Sequence, residues 1–121
     1  MRDLSEVSGP WVGFWIQGLV RGNMGLRLSC KSGKIVGSGT DRVGSFKISG
    51  RYLISGKVEF TKRYTWHSVH YKGQWDDQMI YGDWVIDFED SGLFEIWPES
   101  ENQALGEVSI ESEQTLELVK T

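Results

Sequence analysis

The sequence has little cysteine and no long apolar run. Its one cysteine, Cys30, cannot form a disulfide within the chain, and we interpret it as a small buried strand residue. The first residues lack the apolar core of a signal peptide, and no stretch reaches the roughly 20 apolar residues that a membrane helix needs. We therefore expect a cytoplasmic protein with no membrane partner.

An excess of positive charge is also missing. The chain holds 13 basic and 17 acidic side chains, and the basic ones are spread along the predicted strands instead of forming one stripe. Residues 89–121 hold 1 basic and 9 acidic side chains, so this end of the chain would repel phosphate. We expect no nucleic-acid partner. The acidic segment 99–121 is interpreted as a solvated tail, a partner-binding tail or a cover for the strands before it.

The helical period is absent too. Between residues 10 and 97 no segment keeps apolar residues at a 3.6-residue spacing over three turns, so we expect no α-helix there. Apolar and polar residues alternate instead, and turns marked by glycine separate the alternating runs. The alternation predicts eight strands, at 9–18, 24–31, 34–40, 43–52, 57–63, 66–75, 79–87 and 92–97.

Eight consecutive strands joined by short turns favour an all-β fold, an eight-stranded antiparallel up-and-down β-barrel that occupies residues 1–98 as one domain. The interior of such a barrel is either filled by side chains or holds one small ligand. A seven-stranded sandwich is the structural alternative, and we rank it lower because the sequence shows no long crossover connection. Arg21, Gly22 and Asn23 are interpreted as the turn between the first two strands.

The alternation also assigns side chains to the two faces of each strand. His67 shares the predicted inner face, whereas His70 points outward, so the two histidines cannot share a metal ion unless a bulge intervenes. We expect no metal site and no cofactor. Six large rings lie on the inner face, where they either fill the core or form the wall of a pocket: Trp11, Trp15, Tyr52, Phe60, Tyr71 and Trp84.

The first strand is apolar on both of its faces. Val12, Phe14 and Ile16 would lie on the outside of the barrel, and Trp66 is a further outward ring. A monomer seldom exposes such a patch, so we expect a homo-oligomer, most simply a dimer. The alternative is that the segment 99–121 folds over this strand.

Several segments of the chain resemble the avidin and streptavidin type of biotin-binding barrel, a member of the calycin group. They are GPW at 9–11, GKIVGSGTDRVG at 33–44, ISGRY at 48–52, VEFTKRYTWHS at 58–68, YKGQW at 71–75 and GDW at 82–84. The resemblance implies the same eight-stranded barrel with a ligand site in its lumen. Hydrogen-bonding positions of the family's biotin site fall here on Gly13, Gln17, Gly39 and Asp41, and only Trp84 keeps a family tryptophan. We therefore expect a lumenal ligand without tight binding of biotin.

The sequence favours a non-enzymatic barrel that binds a small molecule or the end of a peptide in its lumen. No catalytic residue is assigned, because Asp76 and Asp77 have ordinary turn chemistry and no nucleophile motif is present. The alternative is a structural or protein-interaction barrel with a filled lumen, which acts through its outer face or acidic tail. A small haem carrier or enzyme barrel is a third reading, suggested by GPWVG near the start and by a lumenal histidine. The residues that we expect to contact the ligand are Trp11, Trp15, Gln17, Asp41, Tyr52, Phe60, His67, Tyr71 and Trp84.

Overall fold

The computed structural model describes residues 1–87 and 89–99. They form a closed barrel in which every strand pairs antiparallel with its sequence neighbours and the last strand pairs with the first. A short 3-10 helix, Leu4–Val7, precedes the barrel. The predicted up-and-down barrel is confirmed, and the sandwich is excluded. The strands are β1 Gly9–Gln17, β2 Val20–Lys31, β3 Lys34–Asp41, β4 Ser45–Tyr52, β5 Lys57–Arg63, β6 Ser68–Trp75, β7 Ile80–Ile86 and β8 Asp90–Pro98.

The described residues between 10 and 97 contain no α-helix, as the sequence predicts. Within the same described part of the chain, no helix is long and apolar enough to cross a membrane. The roles expected for the acidic segment depend on residues 100–121. These residues lie outside the described part of the chain.

The connection between β1 and β2 differs from the sequence prediction. The two strands stay paired up to Gln17 and Val20, so the turn consists of Gly18 and Leu19. Gly18 has a φ of +59°, the left-handed conformation that two-residue hairpin turns require. The prediction of a turn at residues 21–23 is wrong, because Gly22 lies opposite Trp15 on the inner face. A Cβ atom there would come within 2.1 Å of the indole ring, so this glycine makes room for a core side chain.

One end of the barrel is closed by the N-terminal segment. The 3-10 helix buries Leu4 and Val7 in the core. Trp11 donates a hydrogen bond from Nε1 to the Val7 carbonyl at 2.8 Å, and Trp75 donates from Nε1 to the Arg2 carbonyl at 2.8 Å. These bonds attach the segment to β1 and β6, so this end offers no entrance to the lumen.

A capping box holds the 3-10 helix in this position. The Ser5 amide donates to Oδ2 of Asp3 at 3.0 Å, and the Asp3 amide donates to Oε2 of Glu6 at 3.3 Å. The Tyr52 hydroxyl also donates to Oδ2 of Asp3, at 3.1 Å. Tyr52, the β4 ring that the sequence places on the inner face, therefore helps to hold the segment that closes this end of the barrel.

Three aromatic rings fill the middle of the barrel. Phe60 and Tyr71 are stacked, with ring centroids 4.8 Å apart and planes at 9°. Phe94 meets both rings edge-on, at 5.9 and 4.7 Å. The lumen is therefore not a continuous channel, and any room for a ligand lies beyond this layer, towards the end opposite the 3-10 helix.

The outer face of β1 is half-buried within the single chain. The Phe14 ring meets Trp97 of β8 edge-on at 6.2 Å, and the Arg21 guanidinium lies 3.9 Å from the Phe14 ring centroid. Neighbouring strands thus cover part of the apolar patch that the sequence predicts. Val12 and Ile16 are also half-buried, whereas Trp66 is almost fully exposed.

Candidate functional site

The end of the barrel opposite the 3-10 helix, here called the mouth, contains a small cavity. Four connections surround the mouth, and their described residues are 18–19, 42–44, 64–67, 87 and 89. The cavity has a volume of about 60 Å³, and three of its lining side chains, Gln17, Val43 and His67, are exposed, so it reaches the surface. Its other lining residues are Trp15, Lys62, Tyr64, Val69, Tyr71, Trp84 and Ile86.

A buried ion pair lies at this cavity. Strand β5 alternates Val58, Phe60 and Lys62 towards the lumen, so the last inward position carries a charge. Nζ of Lys62 lies 2.8 Å from Oδ2 of Asp41 at the end of β3. Their side chains are 2% and 0% exposed. A lysine is almost never buried in this way without a partner, and the carboxylate supplies one.

Both carboxylate oxygens of Asp41 are occupied. Oδ2 accepts from Lys62 and from the Tyr64 hydroxyl, and Oδ1 accepts from the amides of Val43 and Gly44 at 2.9 and 3.3 Å. Burial alone would raise the pKa of this carboxyl, but the hydrogen bonds from Lys62 and Tyr64 and the lysine charge outweigh burial and hold the pKa below its usual value. Asp41 therefore anchors the lysine and the turn that follows β3.

Aromatic rings surround the ammonium group of Lys62. Nζ lies 4.9 Å from the ring centroid of Phe46, 5.2 Å from that of Tyr64 and 5.1 Å from that of Tyr71. Burial lowers the pKa of Lys62, and the neighbouring carboxylate opposes this shift. An ammonium has three N–H donors. Asp41 takes one, and the second contact is the weak acceptor Sδ of Met24 at 3.8 Å, so a donor remains for a further group.

Two more hydrogen-bond donors at the cavity have no acceptor among the described residues. Nε1 of Trp15 is the one fully buried side-chain nitrogen or oxygen in that part of the chain without a hydrogen-bond partner. The Tyr71 hydroxyl forms no hydrogen bond with another described residue, although the ring is buried. By contrast, Nε1 of Trp84 is paired with the Ile16 carbonyl at 3.1 Å. Buried donors normally find an acceptor, so the unpaired indole N–H of Trp15 at this cavity is unusual.

The residues predicted to contact a ligand fall into two groups. Those that line the cavity are Trp15, Gln17, His67, Tyr71 and Trp84. The others do not line it: Trp11 and Tyr52 bind the N-terminal segment, Phe60 lies in the middle layer, and Asp41 lies behind the lysine.

The two histidines differ in their surroundings. His67 is an exposed residue that stacks on Tyr64, with ring centroids 4.7 Å apart, so it lies at the rim of the cavity. His70 lies on the outer face, where Nδ1 is 3.1 Å from Oγ1 of Thr61. His70 points outward, as the strand alternation predicts, whereas His67 lies in the connection before β6 and is exposed at the rim.

The main residue that the sequence analysis missed is Lys62. Strict alternation after Val58 and Phe60 places it on the inner face, but its charge made it look like a surface residue. Tyr64 was missed because it lies in the connection after β5, where alternation no longer assigns a direction.

No protein-family model matches this chain, and no curated protein matches it. The closed eight-stranded antiparallel barrel agrees with calycin-type barrels in general architecture.

Proposed function

We propose that the protein is a non-enzymatic, avidin-like binding module, which admits a small molecule or the end of a peptide through the mouth. The observation that carries this proposal is the set of three donors at one surface-connected cavity, namely Lys62, Trp15 and Tyr71. An oxygen acceptor on a ligand would satisfy donors that the described residues leave unmet. Each such hydrogen bond would contribute about 0.5–1.5 kcal/mol net, because water can also reach a cavity that opens to the surface.

The size of the cavity limits what can enter. Sites that enclose a whole drug-sized ligand have volumes of about 300–1,000 Å³, whereas this cavity has about 60 Å³. Only a head group of a few atoms fits, and the rest of the ligand would lie across the mouth. The same limit, together with Gly13 and Gln17 at family contact positions, supports the expectation that biotin is not bound tightly.

A binding role fits the chemistry of the site better than catalysis. Asp41 has both oxygens occupied, so it is not available as a general base at the cavity. Lys62 is held by that carboxylate and by three rings, which favours a fixed donor over a mobile nucleophile. The absence of nucleic-acid and membrane partners and the cytoplasmic location remain predictions from composition.

The test is a fragment screen by two-dimensional NMR that follows the indole N–H signals. The signal of Trp15 is assigned by its loss in Trp15→Phe, and the indole of Trp11, which is paired with the Val7 carbonyl at the closed end, serves as the internal control. We expect oxygen-bearing fragments to shift the Trp15 signal and the amides of the mouth connections in a saturable way. Finding only shifts elsewhere, or none, would contradict the proposal.

The filled middle of the barrel favours a second candidate, a structural or protein-interaction barrel. Phe60, Tyr71 and Phe94 occupy the layer where a deep ligand would otherwise sit. Such a protein would show no saturable fragment shift at the mouth, so the same screen separates the two functions.

We also propose that two copies of the chain associate through the outer face of β1. Val12, Phe14 and Ile16 remain only half-buried despite the cover from β8 and β2. Light scattering should give the mass of a dimer at tens of micromolar, and Phe14→Ser should lower it. A monomeric full chain that associates only after residues 100–121 are deleted would show instead that the acidic segment is the cover.

A further inference from the structure

We infer that the mouth selects a neutral carbonyl oxygen, such as that of an amide or ketone, carried on a short apolar chain, in preference to a carboxylate or an amine. This inference rests on the proposed function and adds the chemical class of the ligand.

The first argument is the charge of the site. Lys62 and Asp41 neutralise each other across 2.8 Å, and the other donors, Trp15 and Tyr71, are uncharged. A carboxylate would add a charge that has no counter-ion of its own, because the lysine is already paired. A buried charge without a partner is strongly disfavoured, whereas a neutral oxygen adds none.

The second argument is the direction of the hydrogen bonds. The one fully buried polar side-chain atom without a partner among the described residues, Nε1 of Trp15, is a donor, and both oxygens of Asp41 are taken. An ammonium ligand would meet the donor-only indole of Trp15 and the positive charge of Lys62, and among the three groups only the Tyr71 hydroxyl oxygen could accept from it. A carbonyl oxygen has two lone pairs and can accept from two of the three donors at once.

The third argument concerns the part of the ligand that stays outside. Among the described residues, three of the mouth connections each carry a large exposed apolar side chain: Leu19 is 105% exposed, Val43 55% and Trp66 92%. Val43 also lines the cavity, so the apolar rim is continuous with the polar interior of the cavity. Apolar contacts at the rim would stabilise a ligand whose chain begins directly at the carbonyl group.

Exposed apolar residues also occur at the closed end, in the connection between β4 and β5. Leu53 and Ile54 are 54% and 97% exposed there. Since neither residue lines the cavity at the mouth, Ile54 provides a matched control for a rim residue of similar exposure.

The experiment compares three six-carbon ligands at pH 7 that differ only in the head group: hexanamide, hexanoate and hexylamine. Dissociation constants are measured by NMR titration on the Trp15 indole signal. We expect hexanamide to bind at least tenfold more tightly than either charged compound and at least tenfold more tightly than acetamide, which lacks the chain. Equal or tighter binding of hexanoate or hexylamine would overturn the inference and leave the proposed function standing.

Absence of binding is also decisive. If all four compounds leave the Trp15 signal unchanged while the fragment screen identifies another ligand at the mouth, the inference is wrong and the proposed function holds. If neither the compounds nor any fragment moves that signal, both fail.

Variants test the charge and rim arguments separately. Asp41→Asn leaves Lys62 without its counter-ion, so the preference should move at least tenfold towards hexanoate. Trp66→Ser should weaken hexanamide binding several-fold, and Ile54→Ser should not change it. An unchanged preference in folded Asp41→Asn would contradict the charge argument. Equal effects of Trp66→Ser and Ile54→Ser on hexanamide binding would contradict the rim argument. If Asp41→Asn does not fold, as judged by circular dichroism, the head-group comparison on the unmodified chain decides the inference alone.

Discussion

Substitution of Lys62 by methionine should destabilise the barrel more than almost any other single change of a charged residue. Methionine keeps most of the side-chain volume but leaves the Asp41 carboxylate buried without its counter-ion. Removing one partner of a buried ion pair costs about 3–5 kcal/mol. Asp41 would retain the Tyr64 hydroxyl and two backbone amides, so we expect the lower part of this range, about 3 kcal/mol.

Urea denaturation at pH 7 measures the effect. For a slope of about 1.5 kcal/mol per molar urea, a loss of about 3 kcal/mol lowers the transition midpoint by about 2 M. Lys72→Met is the matched control, because Lys72 is an exposed strand lysine on β6, and its effect should stay within about 0.5 kcal/mol. The double variant Asp41→Asn with Lys62→Met should recover part of the loss, because no unpaired charge is then buried.

The pH dependence gives a second readout of the same pair. The pKa of Asp41 in the folded protein lies below its unfolded value, so the stabilisation by the ionised carboxylate is present above about pH 4 and is lost as the pH falls through the folded value. Without the lysine, that folded pKa rises. The difference in unfolding free energy between the unmodified protein and Lys62→Met should therefore be largest near neutral pH and shrink towards pH 3. A difference below about 1 kcal/mol at pH 7 would refute the reasoning.

Three further predictions concern packing and the buried thiol. Gly22→Ala should lower the unfolding free energy by about 1–3 kcal/mol, since the added methyl group meets an indole ring, whereas Gly25→Ala in the same strand has open space and should change it by less than about 0.5 kcal/mol. Leu4→Ala should cost about 2–5 kcal/mol because the side chain is 1% exposed, and the fully exposed Leu19→Ala should be neutral in the same urea titration. Burial, followed by the charge of a nearby carboxylate, raises the pKa of Cys30 to about 11, so the native thiol should react with iodoacetamide at pH 8 at least about 100-fold more slowly than the unfolded chain. Comparable rates would show that this thiol is not buried.

The sequence predicts the barrel well because the strand signal repeats every two residues and each connection is short. Seven of the eight strands start and end within about three residues of the predicted bounds, an ordinary boundary error. The exception is the start of β2, where Arg21, Gly22 and Asn23 have turn chemistry but pair with β1. Turn propensity is local, whereas the need to accommodate Trp15 opposite Gly22 arises only after the two strands pair.

The site was less predictable because its central contact is distant in sequence. Asp41 and Lys62 are both visible in the sequence, yet nothing in either segment indicates that they form a pair. The inward direction of Lys62 follows from the period of β5, and only its charge argued against that direction. The sequence analysis also missed the N-terminal segment that closes one end of the barrel, although Asp3 and Glu6 have the spacing of a capping box.

The pairing of β8 with β1 has a consequence for how the chain folds. The other seven pairings join sequence neighbours through short connections, but Trp11 meets Pro98 only after the whole barrel has been traversed. Closing a loop of about 80 residues costs about 2.5 kcal/mol more in chain entropy than closing a four-residue turn. Hairpins can therefore form early, while the seam between β1 and β8 closes late. During synthesis β1 keeps an unpaired edge until residues 90–98 have left the ribosome, which makes this seam the point where two nascent chains would exchange strands.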